Sequence, residues 1–234
     1  DTMKYLSLLI SLMVASNFSL AAKGDDPVLG KFMLDQLEVR DDNGDTQNVV
    51  EGQGWIGQDL NKFWIKLDSE YESDEKYDSE MQLLYSKAVD TYWDMQVGLR
   101  LDEGPDDTQG WAVIGLQGLA PYYFETDAAA FISDDGDLAL RLSLEYELLF
   151  TQKLILSPEI TLDAFVQSNQ EHGTGNGLAS SNLGLRLRYE IEREFAPYVG
   201  WTQSNLYGKS RDYAKAAGGD ASNSQWVVGI RAWF

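Results

Sequence analysis

The stretch DLALRLSLEYELLF (137–150) restricts what this chain can fold into more than any other. Leu138, Leu140, Leu142, Leu144, Tyr146, Leu148 and Phe150 fall on every second position, and Asp137, Arg141, Ser143, Glu145 and Glu147 fall between them. NLGLRLRYEIE (182–192) repeats the pattern, with Leu183, Leu185, Leu187, Tyr189 and Ile191 opposite Arg186, Arg188, Glu190 and Glu192. A period of two places successive side chains on opposite faces of an extended strand and does not fit a helix. Each strand therefore has one apolar face and one charged face. A soluble barrel would turn the leucines inward, whereas a membrane barrel turns them to lipid. Periodicity alone is the same in both.

Three other features decide between them. MKYLSLLISLMVASNFSLAA (3–22) has a lysine, an apolar run and small residues, which reads as an export signal cut after Ala21 or Ala22. Residues 23–32 then read as a short flexible leader, and residues 33–234 as one barrel domain. The tail QWVVGIRAWF alternates Trp226, Val228, Ile230, Ala232 and Phe234 with Val227, Gly229, Arg231 and Trp233. An open apolar edge invites aggregation, and a closed barrel removes it by pairing the last strand with the first. Phe234 is expected to act as an insertion signal read by the barrel assembly machinery.

Strand-like segments recur at 33–40, 47–57, 61–72, 77–87, 92–102, 110–119, 123–133, 137–150, 153–168, 180–192, 195–206 and 225–234. Connectors alternate between polar loops, the last two long (168–180 and 207–224), and short turns such as 57–61 and 151–153. Twelve strands with this asymmetry predict an all-β transmembrane antiparallel barrel in the outer membrane of a Gram-negative bacterium, integral in lipid and lipopolysaccharide, with both termini periplasmic. Ten strands is the alternative, if one long segment near the start has been divided.

The chain carries 38 acidic and 18 basic residues, a formal net charge of −20, so a nucleic-acid partner is not expected. Cysteine is absent, which excludes thiolate metal sites. The strand faces place Glu38, Asp68, Glu70, Glu80, Asp94, Glu125, Asp127, Glu145, Glu147, Glu159 and Asp163 in the lumen beside Lys66, Arg100, Arg141, Arg186, Arg188 and Arg231. Arg186 and Arg188 are expected to reach Glu159 and Asp163. Two readings stand for the acids: a path for cations, or a charge lattice that shapes the barrel. The loops GPDDTQG and SDDGD do not match a calcium-binding loop. The motifs HExxH, GxSxG and a phosphate-binding loop are missing, so no enzyme activity is expected.

Several long stretches, among them GWIGQDLNKFWIK (54–66), LLYSKAVDTYWDMQVGLR (83–100), AVIGLQGLAPYYFETDAAAFISDDGD (112–137), LLFTQKLILSP (148–158) and GLRLRYEIEREFAPYVGW (184–201), resemble the copper resistance protein B family of bacterial outer-membrane proteins. The resemblance runs from about residue 33 to 234 and implies copper binding, homeostasis and resistance, with a periplasmic multicopper oxidase as a partner and copper as ligand or substrate rather than a tightly bound cofactor. Many members carry an extension rich in Met and His; residues 23–31 hold neither. The candidate ligands are His172 with Glu171 for Cu(II), and Met33 for copper arriving at the start of the first strand. His172 also reads as a plain loop histidine, and Met81 and Met95 as lipid-facing side chains. The alternative to copper handling is a passive structural barrel or a general small-solute pore.

Overall fold

The structure, a computed structural model, describes residues 26–42, 45–73, 76–104, 108–170 and 172–234. The export signal (1–22), the first part of the leader and Glu171 lie outside these residues. The strands are β1 (Leu29–Asp42), β2 (Asp45–Gly57), β3 (Asn61–Ser73), β4 (Lys76–Asp90), β5 (Trp93–Glu103), β6 (Thr108–Ala120), β7 (Phe124–Ser133), β8 (Leu138–Glu145, resuming at Leu148–Leu149), β9 (Leu154–Phe165), β10 (Gly177–Tyr189), β11 (Phe195–Leu206) and β12 (Ser222–Trp233). Each pairs antiparallel with its sequence neighbours, and β12 returns to β1, so the sheet closes into a twelve-stranded barrel. Phe234 exchanges two backbone hydrogen bonds with Phe32, at 2.8 and 3.0 Å, beyond the last strand residue.

The lipid face follows from the alternation. Met95, Val97, Leu99 and Leu101 on β5 are exposed, while Gln96 between them is buried. On β10, Leu183, Leu185 and Leu187 are exposed, and Arg186 and Arg188 are buried. Bare apolar surface encircling a whole molecule is stable only in lipid. Aromatic residues crowd the end that holds Leu29 and Phe234, the terminal end: Phe63 packs on Tyr85 at 5.5 Å and Phe124 on Tyr146 at 5.0 Å. Among the described residues no helix is long and apolar enough to span a membrane.

Three details differ from the sequence expectation. β1 begins at Leu29, so residues 29–32 of the expected leader are strand. The segment 137–150 is interrupted at Tyr146 and Glu147, because Tyr146 faces Pro158 on β9. Tyr146 N–H donates to the Pro158 carbonyl at 3.0 Å, but proline has no N–H to return the bond. The connector 207–224 contains a helix, α1 (Gly208–Ala216). Its Ala, Lys and Arg content favours helix over the irregular loop suggested by the neighbouring Gly and Asn.

Candidate functional site: the charged lumen

The inward face of β1 to β6 carries a row of residues paired in register: Gln36, Glu51, Asp68, Glu80, Asp102 and Gln109. Four carboxylates thus stand directly opposite one another on successive strands, an arrangement that repels unless countered. The counter-charges arrive from other strands. Arg100 reaches Glu80 at 2.8 Å and Asp102 at 2.6 Å. Arg141, on β8, donates to Glu80 at 2.9 Å and to Asp163 at 2.8 Å. Among the described residues Glu51 and Asp68 are in no ion pair.

A second cluster sits at the closing seam. Arg186 on β10 forks onto Glu38 of β1, with both bonds at 3.1 Å, and reaches Glu159 at 2.7 Å and Gln36 at 2.8 Å. Tyr198 on β11 donates to Glu38 at 3.0 Å, and Arg40 pairs with both Glu38 (2.7 Å) and Glu70 (3.0 Å). Glu38 is 2% exposed yet accepts from three strands. A charge so buried persists only when paired and bonded in this way.

Nearer the terminal end, Arg231 lies 3.5 Å from both Asp35 and Glu145. Lys66 bonds Asp127, and Lys62 lies 3.4 Å from Asp94. Arg186 meets Glu159 as expected. Arg188 does not reach Glu159 or Asp163; it bonds Glu147 and Ser157, because its register on β10 lies one step closer to the terminal end. Asp163 takes Arg141 and Ser180 instead.

One side of the lumen is apolar, which the period-two reading missed. Leu84, Trp111, Val113, Phe131 and Ala139 form a buried cluster on β4, β6, β7 and β8. The guanidiniums of Arg100 and Arg141 lie over Phe131, at 4.7 and 5.7 Å. Glu51, Asp35, Gln36 and Asp102 were also missed. The run Val49, Glu51, Gln53, Trp55 carries the signal for Glu51, since it alternates with Val50, Gly52 and Gly54.

Among the described residues, two cavities in the lumen bear on the site. The larger, about 680 Å³, is lined by acids that include Asp35, Glu51, Glu125, Asp127, Glu145 and Glu159. The smaller, about 490 Å³, lies toward the loops and includes Asp102, Asp137 and His172. His172 therefore faces the loop-end cavity, and Glu171 lies outside the described residues. Met33 sits on β1 opposite Gln53 and Trp233, near the terminal end and apart from His172. Met95 is exposed on the lipid face. Among the described residues no group of three or more His, Cys, Asp or Glu side chains is arranged to hold a metal ion.

The closed sheet, lipid-exposed leucines and acid-rich interior define a transmembrane β-barrel with a charged lumen. Solved barrels share the fold: the NanC porin aligns with a TM-score of 0.57 at 12% identity, over 87% of this chain and 99% of that one. The KdgM porin in complex with disordered oligogalacturonate aligns at 0.53 and 11% identity, over 88% and 99%. The family described as copper resistance protein B precursor (CopB) matches residues 28–234, and the chain belongs to it. Copper resistance protein B of Escherichia coli is 41% identical over 202 residues, 86% of this chain and 68% of that protein. The copper resistance protein B homolog of Pseudomonas syringae pv. tomato is 40% identical over 210 residues, 90% and 71%.

Proposed function

We propose that this barrel serves copper resistance by admitting copper ions to its lumen as hydrated cations, drawn by carboxylates that lack a basic partner. The observation that carries this reading is the acid-rich lining of the larger cavity, where the exposed carboxylate of Glu125 stands outside any ion pair among the described residues. Fixed negative charge in a low-dielectric tube attracts cations and rejects anions. Carboxylate and imidazole suit Cu(II), whereas thioether suits Cu(I). The reading therefore favours Cu(II), sits in the outer membrane with the termini toward the periplasm, and assigns the chain no catalytic step.

In planar bilayers the wild-type barrel should prefer cations to anions. Neutralising Glu51, Asp68, Glu125 and Asp127 together to amides should reduce that preference and slow copper entry into liposomes. A deletion strain should be copper-sensitive, rescued by the wild type and less by the amide variant. Equal rescue by both would overturn the reading and leave a passive structural barrel.

A further inference from the structure

Among the described residues, those that line both cavities are Asp68, Glu70 and Glu80. The two cavities meet at this junction. Glu80 is gripped from both chambers: Arg141 lines the larger cavity and Arg100 the smaller, and each bonds the Glu80 carboxylate, at 2.9 and 2.8 Å. Phe131 carries both guanidiniums on its ring and is 2% exposed, so the platform is fixed. Asp163 holds the Nε side of Arg141 at 2.8 Å. The chain Asp163–Arg141–Glu80–Arg100–Asp102 crosses the barrel interior from β9 to β5. Glu70 is held in turn by Arg40 at 3.0 Å.

We propose that this chain of ion pairs is a partition that sets the size limit of the lumen, with Arg141 as the specificity-determining residue. It passes a small hydrated cation, which exchanges with the guanidiniums for the carboxylates of the junction, and it stops solutes the size of a monosaccharide. Side chains bonded on two sides and stacked on a buried ring lose little further entropy by staying in place, so the partition stays shut to neutral solutes that offer no charge in return. The inference rests on the lumen being the route, not on copper being the cargo.

The test uses the full barrel, refolded into liposomes, with arabinose swelling and single-channel conductance as readouts. Arg141→Ala should raise conductance roughly twofold or more and admit arabinose, because one of the two arginines that grip Glu80 across the junction is gone. Glu80→Gln keeps the volume but loosens both arginines, and should give a smaller rise. Arg211→Ala on α1, exposed and far from the junction, should match the wild type. Folding is checked by heat-modifiable migration; if Arg141→Ala does not fold, Glu80→Gln decides. Wild-type permeability in the folded variants, or arabinose passage by the wild type itself, overturns the partition. If the wild type conducts potassium but excludes copper while Arg141→Ala gains arabinose, the partition stands and the copper reading fails; a wild type that conducts no small cation overturns the partition.

Discussion

At the residue scale, the lattice is a set of charges whose value lies in being complete. Arg186 makes four bonds to Glu38, Glu159 and Gln36. Replacing it with alanine leaves Glu38, at 2% exposure, with Arg40 and Tyr198 alone and takes the arginine from Glu159, which should cost about 3 kcal/mol, the low end for a broken buried pair. Arg186→Lys should recover only part of this, because an ammonium lacks the planar fork that serves two acceptors. Urea unfolding of the refolded barrel checks both; equal stability of the lysine variant and wild type would show that the fork is unimportant. Gly229 supports the same cluster. A methyl at that position would come within 2.6 Å of the Tyr198 ring end and 2.7 Å of the Leu37 carbonyl. Gly229→Ala should therefore push Tyr198 off Glu38 and destabilise by about 1–3 kcal/mol, visible in the same unfolding series.

At the element scale, the strands were readable because lipid imposes a rule with few exceptions. A leucine on the wrong face would displace a bonded charge, so the alternation of β5, β8 and the stretch of β10 from Leu183 to Arg188 is strict. The rule fails where the lumen itself is apolar. Leu84, Trp111 and Phe131 occupy inward positions, and period two cannot distinguish an apolar residue facing lipid from one facing the interior. Side-chain partners across the barrel were equally hidden. Nothing in sequence spacing brings Arg141 to Glu80, since closure sets their distance. The break in β8 was legible in principle, because Pro158 announces a missing donor. Only its β8 side is affected: Pro158 faces Leu185 on β10 at a position where its nitrogen points away. Pro158→Val should let the strand run through Tyr146, adding about 0.5–1.5 kcal/mol. The melting temperature of the heat-modifiable form should rise; a fall would mean the break relieves strain elsewhere in β8. Deleting Phe234 removes the pair of bonds to Phe32 and should lower the yield of inserted barrel, as measured by the folded fraction in outer membranes.

At the scale of the whole molecule, the two ends are unlike. One gathers Leu29, Phe234, the short turns and exposed aromatics such as Tyr122 and Phe150; the other gathers the longer connectors and α1. The long connectors are tied to each other, since Gly175 N–H donates to the Ser210 hydroxyl at 2.7 Å. The expected orientation puts this end outside the cell. With no native cysteine to compete, Asp135→Cys should label on intact cells and Tyr122→Cys only after the outer membrane is opened. The reverse result would invert the topology while leaving the fold untouched.

Glu38 also bears on how the molecule is made. It lies on the first strand, yet its donors include side chains of β10 and β11, which emerge late from the ribosome. Until the sheet curls round, that carboxylate has only its own strand's Arg40 for company. If the final strand docks one residue out of step, the alternation inverts along the seam and an ionised group faces hydrocarbon. Such a mispaired barrel would be expelled or would reopen. The buried glutamate thus works as a proofreading mark, accepting one alignment of beginning and end and rejecting its neighbours.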